Sequence, residues 1–180
     1  TKKTFLLDSN EGTVEKNKAG LTLNSILYSA PGKLPFEDKS VNLIHTSHMI
    51  EYLTPEEMYK MMMEMDRVMM DDCYIIISAP LIWGNFYDDL GHIRPYNPFI
   101  FHKYFINLNH NNRLDKVSSS YETKELIYRY SQLPVDEGWS SSVPVIDYCM
   151  IMMRRFLGKI GFRKLQKNGY SLVLQKKSGS

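Results

Sequence analysis

Acid–base side chains are concentrated between Asp88 and Tyr96. His92 is the first candidate for a general base, because an imidazole exchanges a proton near neutral pH. Asp88 or Asp89 would orient the ring, and the planar guanidinium of Arg94 suits a carboxylate or phosphate. We predict that His92 and Asp88 are catalytic and that Asp89, Arg94 and Tyr96 bind substrate. A purely structural hydrogen bond is an equal alternative for His92.

His48 is the third predicted catalytic residue. It follows an apolar run, Val41–Ile44, and would project beyond the carboxyl end of a strand, where open α/β sheets bind ligands. A role with Glu51 in holding the start of a helix is the stronger alternative. His45, His48 and Glu51 match no strong zinc spacing, so no metal is predicted.

Composition excludes several classes of function. The 22 basic and 20 acidic residues give a net charge of +2 without a basic stripe, so nucleic acid is not expected as a partner. No apolar run reaches the roughly 18 residues of a membrane span. Cys73 and Cys149 lie far apart, which favours a reducing, cytoplasmic setting. Walker, nucleophile-elbow and Cys/His nucleophile patterns are absent.

Apolar periodicity indicates an α/β fold. Thr54, Pro55 and Glu57 form a capping box, and methionines at three- and four-residue spacing follow it, so a helix begins there. Helices are also expected at Phe99–Leu108, Glu122–Ser131 and Val145–Leu157. Strands are expected at Thr4–Leu7, Leu21–Tyr28, Val41–His45 and Cys73–Ile77.

The end of the chain predicts an antiparallel hairpin. Gly161–Gln166 and Tyr170–Gln175 flank an Asn168-Gly169 turn, which is a strong hairpin signal. We therefore expect one domain over residues 1–177 and a tail at 178–180. Its fold would be a Rossmann-like, mostly parallel sheet with helices on both faces and this hairpin at the C-terminal end.

Four segments carry a family resemblance. They are the Leu34-Pro35-Phe36 turn, the Ser47–Leu53 segment Ser-His-Met-Ile-Glu-Tyr-Leu, the helix end Asp66-Arg67-Val68, and the Gly91–Tyr96 segment Gly-His-Ile-Arg-Pro-Tyr. In this order and spacing the chain resembles class I S-adenosylmethionine-dependent methyltransferases of type 11. The resemblance implies the fold given above and S-adenosylmethionine as cofactor.

The resemblance places the cofactor beside the first two strands. The family has a Gly-x-Gly loop where this chain has one glycine, Gly12, and an acidic residue close to where this chain has Ser25. The implied cofactor-binding residues are Asp8, Ser9, Asn10, Glu11, Gly12, Ser25, Ser29 and Thr46.

Two functions follow from the resemblance. One is methyl transfer to a hydroxyl or amine of a small molecule such as a sugar or a lipid precursor. The other is a catalytically inactive methyltransferase fold that serves as a binding or scaffold protein. Binding of another nucleotide in the same crevice is a third alternative, and a protein partner or a second copy of the chain stays open.

Overall fold

The computed structural model describes residues 3–20, 24–82, 86–106, 115–118, 120–133, 142–159 and 164–178. Its strands are β1 (Phe5–Asp8), β2 (Asn24–Leu27), β3 (Val41–Ser47), β4 (Met69–Pro80), β5 (Tyr121–Leu133) and β6 (Lys164–Lys176). Its helices are α1 (Glu11–Gly20), α2 (Pro55–Val68), α3 (Phe99–Phe101), which continues as a π-helical turn at His102–Ile106, and α4 (Pro144–Lys159). Short 3₁₀ turns lie at Ile50–Tyr52 and Phe86–Asp88.

The strands pair in two groups. β1 and β2 are parallel, and β3 and β4 are parallel. β6 is antiparallel to β4 on one side and to β5 on the other, which gives the order β3-β4-β6-β5. The mixed α/β class and the antiparallel C-terminal strands are thus confirmed, while the layout of the sheet differs in part from the expectation.

Helix α2 covers one face of the larger sheet. Thr54 accepts a hydrogen bond from Glu57 N while the Glu57 carboxylate accepts from Thr54 N, so the expected capping box is present. The buried face of the helix packs into a core with the buried side chains of β4 and β6. Each fully buried apolar side chain contributes about 1.5–3 kcal/mol. The helix contributes Met58, Met61, Met62, Met65 and Val68.

The end of α2 holds the turn before β3. Arg67 donates to both Glu64 carboxylate oxygens, at 3.0 and 2.7 Å, and to Asp38 at 2.7 Å. It also donates to the carbonyl oxygens of Leu34 and Phe36, at 3.1 and 3.0 Å. The Leu-Pro-Phe turn and the helix-end arginine of the family pattern are therefore in direct contact.

Two sequence predictions about the C-terminal half are wrong. Glu122–Ser131 is not a helix but lies within β5, where it pairs with β6. Asn168-Gly169 is not a hairpin turn, because both residues lie inside β6. Asn168 is skipped in the register between β5 and β6, so it forms a bulge in a continuous strand.

Local conformation at the ends of the early elements also differs from expectation. The segment after β1 is a helix from Glu11 onward rather than a loop to Gly12. Asp72 has a φ of 58°, so this aspartate adopts the left-handed conformation within β4, where the register between β3 and β4 shifts. Expected strand and helix residues at 21–23, 107–108 and 161–163 lie outside the described ranges.

Candidate active site

The predicted catalytic segment packs against the 3₁₀ turn that follows β3. Ile93 N donates to Glu51 O at 2.9 Å, which brings the loop after β4 beside the loop after β3. Both loops leave the carboxyl ends of parallel strands, and that edge is where ligands bind in open α/β sheets. The structure thus brings His48, Asp89 and His92 to one edge of the sheet.

His92 is held in one tautomer. Its Nδ1 lies 2.7 Å from Phe86 O, and a carbonyl oxygen can only accept, so Nδ1 carries the proton. The neutral ring therefore has a free lone pair on Nε2. Aromatic contacts fix the ring plane, with centroids 4.9 Å from Tyr52 and 4.7 Å from Phe86. The side chain is 15% exposed, which leaves it reachable from solvent.

Asp89, rather than Asp88, faces the His92 ring. Asp89 Oδ2 lies 3.8 Å from His92 Nε2 and accepts a hydrogen bond from the Tyr52 hydroxyl at 2.8 Å. Hydrogen bonds from Gly91 N and from Tyr52 lower the pKa of Asp89, so this carboxyl is anionic at neutral pH. Asp88 is exposed, and its side chain makes no hydrogen bond or ion pair within the described part of the chain.

His48 lies between a carboxylate and a guanidinium. Its Nδ1 is 3.2 Å from Glu51 Oε1, and its Nε2 is 3.2 Å from Arg129 Nη1. An arginine can only donate, so Nε2 accepts and Nδ1 bears the proton that faces Glu51. His48 also has a φ of 50°, a conformation that costs a non-glycine residue about 1–3 kcal/mol. Such strain is concentrated at functional sites.

Glu51 and Tyr170 are buried behind His48. The Glu51 side chain is 1% exposed, and neither of its oxygens has a well-formed hydrogen bond among the described residues. The Tyr170 hydroxyl is also buried without a partner there. Burial, together with the nearby Glu51 charge, raises the pKa of Tyr170. These two side chains form a polar cluster under the edge of the sheet.

Arg94 and Tyr96 lie on the side of the segment that faces α2. Arg94 Cζ is 5.4 Å from the centre of the Tyr96 ring, and both line a cavity of about 70 Å³. The Tyr96 hydroxyl is buried and donates to Leu53 O at 2.8 Å. Burial raises the pKa of Tyr96 to about 12, so this hydroxyl stays protonated in its structural bond.

The predicted cofactor loop is organised as a helix start. Asp8 ends β1, and one of its carboxylate oxygens accepts from Asn10 N at 2.8 Å. Asn10 Oδ1 accepts from Thr13 N at 3.1 Å and so caps α1. Glu11 and Gly12 are the first two residues of the helix, and their N–H groups have no intrahelical acceptor. Ser9 is exposed between them and the strand.

Two buried hydroxyls lack partners near the predicted cofactor strands. Ser25 lies on β2 and Thr46 on β3, and neither hydroxyl has a hydrogen bond among the described residues. β2 ends at the exposed residue Leu27, so its own last residue is apolar rather than acidic, and the carboxylate beside this position belongs to Asp8 of β1. Ser29 is exposed, and its carbonyl accepts from Gly32 N at 2.9 Å.

Arg129 and Tyr52 were missed by the sequence analysis. Arg129 was placed in a helix that the structure replaces with β5, so its approach to His48 was hidden. Tyr52 belongs to the family-like segment, but only the fold shows that its hydroxyl donates a hydrogen bond to Asp89.

Within the described residues, no group of three His, Cys, Asp or Glu side chains is arranged to bind a metal. No helix there is long and apolar enough to cross a membrane.

Comparison with solved structures shows the fold. A SAM-dependent methyltransferase from Archaeoglobus fulgidus superposes with a TM-score of 0.61 at 17% identity, over 96% of this chain and 75% of the other. The YcgJ protein of Bacillus subtilis gives 0.59 at 13% identity, over 99% and 83%. The [4+2]-cyclase SpnF gives 0.54 at 10% identity, over 98% and 68%.

These likenesses give the chain the fold of class I methyltransferases. No family model matches the sequence, and no curated protein is similar enough to match it. The cyclase among the similar structures demonstrates that this fold also carries other chemistry.

Proposed function

We propose that the chain transfers a methyl group from S-adenosylmethionine to a hydroxyl or amine of a small molecule. The observation that carries this proposal is the fixed tautomer of His92, which leaves the Nε2 lone pair free at the carboxyl edge of a methyltransferase fold. Methyl transfer requires that the donor and the acceptor are aligned. When the acceptor is a hydroxyl or an ammonium group, it also requires a base that removes the proton, and His92 Nε2 is placed to be that base.

The residues after β1 fit the amino-acid end of the cofactor. Asp8 offers a carboxylate oxygen to an ammonium, and the first-turn N–H groups of α1 offer donors to a carboxylate. The hydroxyls of Ser25 and Thr46, which have no hydrogen-bond partner among the residues that the structure describes, are further polar groups for this site. The exposed residues Ser9, Glu11 and Ser29 complete the proposed set, with Asn10 and Gly12 shaping the turn.

When bound, S-adenosylmethionine supplies an electrophilic methyl group on a sulfonium. The part of the protein is to align the acceptor and to take its proton. His92 Nε2 accepts that proton, and the resulting imidazolium is stabilised by Asp89 on one side and the Phe86 carbonyl on the other. Tyr52 holds Asp89 in place. Asp88, His48, Arg94 and Tyr96 remain proposed contributors to catalysis or acceptor binding.

The competing proposal is a fold that binds ligands or proteins without methyl transfer. Leu27 at the end of β2 favours it, because an acidic residue at that position would bind the ribose hydroxyls of the cofactor. A cytoplasmic location and a protein partner or second copy likewise stay predictions.

The test is transfer of a labelled methyl group. Purified protein is incubated with methyl-tritiated S-adenosylmethionine and pooled extracts of small metabolites, and label in the acceptor fraction is counted. The His92→Ala variant is the control for background. We expect label above that background for the wild-type protein only. Equal label in both would count against the proposed base, and no label with any pool would favour the binding protein.

A further inference from the structure

The Arg129 side chain passes over Gly169 to reach the edge of the sheet formed by the carboxyl ends of β3 and β4. On β6, Gly169 pairs with Arg129 of β5 on one side and with Pro80 of β4 on the other. A Cβ built on Gly169 would lie 2.5 Å from Arg129 Nη2 and 2.9 Å from Nε. The guanidinium therefore occupies the space that any other residue at position 169 would fill.

The guanidinium ends between His48, which follows β3, and Ala79, which lies next to the end of β4. Nη2 donates to Ala79 O at 3.3 Å, and Nη1 donates to His48 Nε2 at 3.2 Å. Two of the five donors of an arginine are thereby used, and they fix the plane of the group. Arg129 is nevertheless exposed, so the other donors face solvent at the edge where an acceptor would lie.

The charge of Arg129 is not neutralised by a carboxylate in the described part of the chain. The Glu51 carboxyl group lies 3.2 Å from His48 Nδ1, on the opposite side of the imidazole ring from the guanidinium. By contrast, Arg67 forms ion pairs with both Glu64 and Asp38. An arginine that is fixed in place, exposed and unpaired is a suitable binding group for a planar oxyanion.

We propose that Arg129 binds an oxyanion group, a carboxylate or a phosphate, on the acceptor. The inference rests on the proposed function only in placing the acceptor at this edge. Arg94 lines a separate cavity of about 70 Å³, which is smaller than the few hundred Å³ typical of ligand sites. Arg129 is therefore the better placed of the two arginines.

Matched probes test the oxyanion preference. 4-Hydroxybenzoate, 4-hydroxybenzamide and phenyl phosphate are titrated calorimetrically into the full chain without S-adenosylmethionine. We expect one of the two oxyanions to bind at least about tenfold more tightly than the amide, and the stronger of the two identifies the oxyanion. Arg129→Gln should abolish the preference, while Arg155→Gln, an exposed arginine on α4, should keep it. An amide that binds as well as both oxyanions overturns the proposal.

A folding control separates binding from stability. The melting temperature of each variant is recorded, and Arg129→Lys, which keeps the charge but loses the fork, replaces Arg129→Gln if the latter does not fold. The lysine variant should lower oxyanion affinity without loss of folding, and unchanged affinity would refute the role of the fork. Because the titrations omit S-adenosylmethionine, failure of cofactor binding leaves this test intact.

Discussion

His92 Nδ1 lies 2.7 Å from Phe86 O, and this single contact determines which nitrogen of the ring can act as a base. The carbonyl keeps the proton on Nδ1, so the reactive lone pair is on Nε2. Without that bond, a neutral imidazole would distribute its proton between both nitrogens. The loop after β4 therefore holds His92 in the tautomer that a base at Nε2 requires.

Asparagine at position 92 should separate the base from the hydrogen bond. The amide nitrogen of Asn occupies nearly the position of Nδ1 and can still donate to Phe86 O, but it supplies no base. We expect His92→Asn to lower kcat by about 10²- to 10⁴-fold with a melting temperature close to that of the wild type. His92→Ala should lower both kcat and the melting temperature, because it also removes the hydrogen bond to Phe86 O. Full activity of the Asn variant would show that His92 has only a structural role.

Removal of the Arg67 guanidinium should destabilise the fold. Arg67 joins α2 to the Leu34–Phe36 turn through two carbonyl oxygens, and it also donates to the carboxylates of Glu64 and Asp38. Its loss leaves Glu64 without its ion-pair partner, although Glu64 still accepts from Leu34 N at 2.8 Å. We expect Arg67→Ala to reduce the free energy of unfolding by about 2–3 kcal/mol, measured by urea denaturation. The free energy of unfolding of Arg67→Lys should lie between those of the wild-type protein and Arg67→Ala. A loss below about 0.5 kcal/mol would be that of an ordinary surface pair.

A side chain at Gly169 should be costly for two separable reasons. Its Cβ would meet the Arg129 guanidinium and also Ala79 O, at 2.9 Å. We expect Gly169→Ala to destabilise by about 1–3 kcal/mol. In the double variant with Arg129→Ala, part of that loss should be recovered, because only the contact with the Ala79 carbonyl remains. Additive effects of the two changes in urea denaturation would contradict the crossing of Arg129 over Gly169.

Protonation of His102 should destabilise the protein. Burial lowers the pKa of His102, whose Nε2 lies 2.9 Å from Thr123 Oγ1. Because the folded state then binds a proton less readily than the unfolded state, stability is lost as pH falls below about 6.5. His102→Gln, which does not titrate, should show a smaller loss between about pH 7.5 and 5.5 in denaturation midpoints. Identical pH profiles for the two proteins would exclude this contribution.

Local signals were sufficient for α2 and for the central part of β4, but not for α1, the helix that follows β1. The capping box at Thr54 and Glu57, and the apolar run at Cys73–Ile77, are strong because each depends on neighbours in sequence. The predicted hairpin turn at Asn168-Gly169 is wrong because the conformation there depends on strands that are distant in sequence. β4 and β5 offer hydrogen bonds along both edges of β6, and those ladders outweigh the local preference for a turn.

The candidate site shows the same limit. His92 and Asp89 are three residues apart, so their proximity could be predicted from sequence. His48 and Arg129 are separated by 81 positions, and their contact depends on the strand β5 that the sequence analysis read as a helix. The contact also requires that position 169 has no side chain, because the Arg129 guanidinium occupies that space. This requirement becomes evident only once β5 and β6 are paired.

Calorimetric titration with S-adenosylhomocysteine is the direct test for a cofactor site after β1. Asp8→Asn is the matched variant, because it keeps an acceptor for Asn10 N but removes the charge that would bind the ammonium. We expect saturable one-to-one binding by the wild-type chain and affinity reduced by at least about tenfold in the variant. No heat of binding at millimolar ligand, or equal affinity of the two proteins, would contradict it.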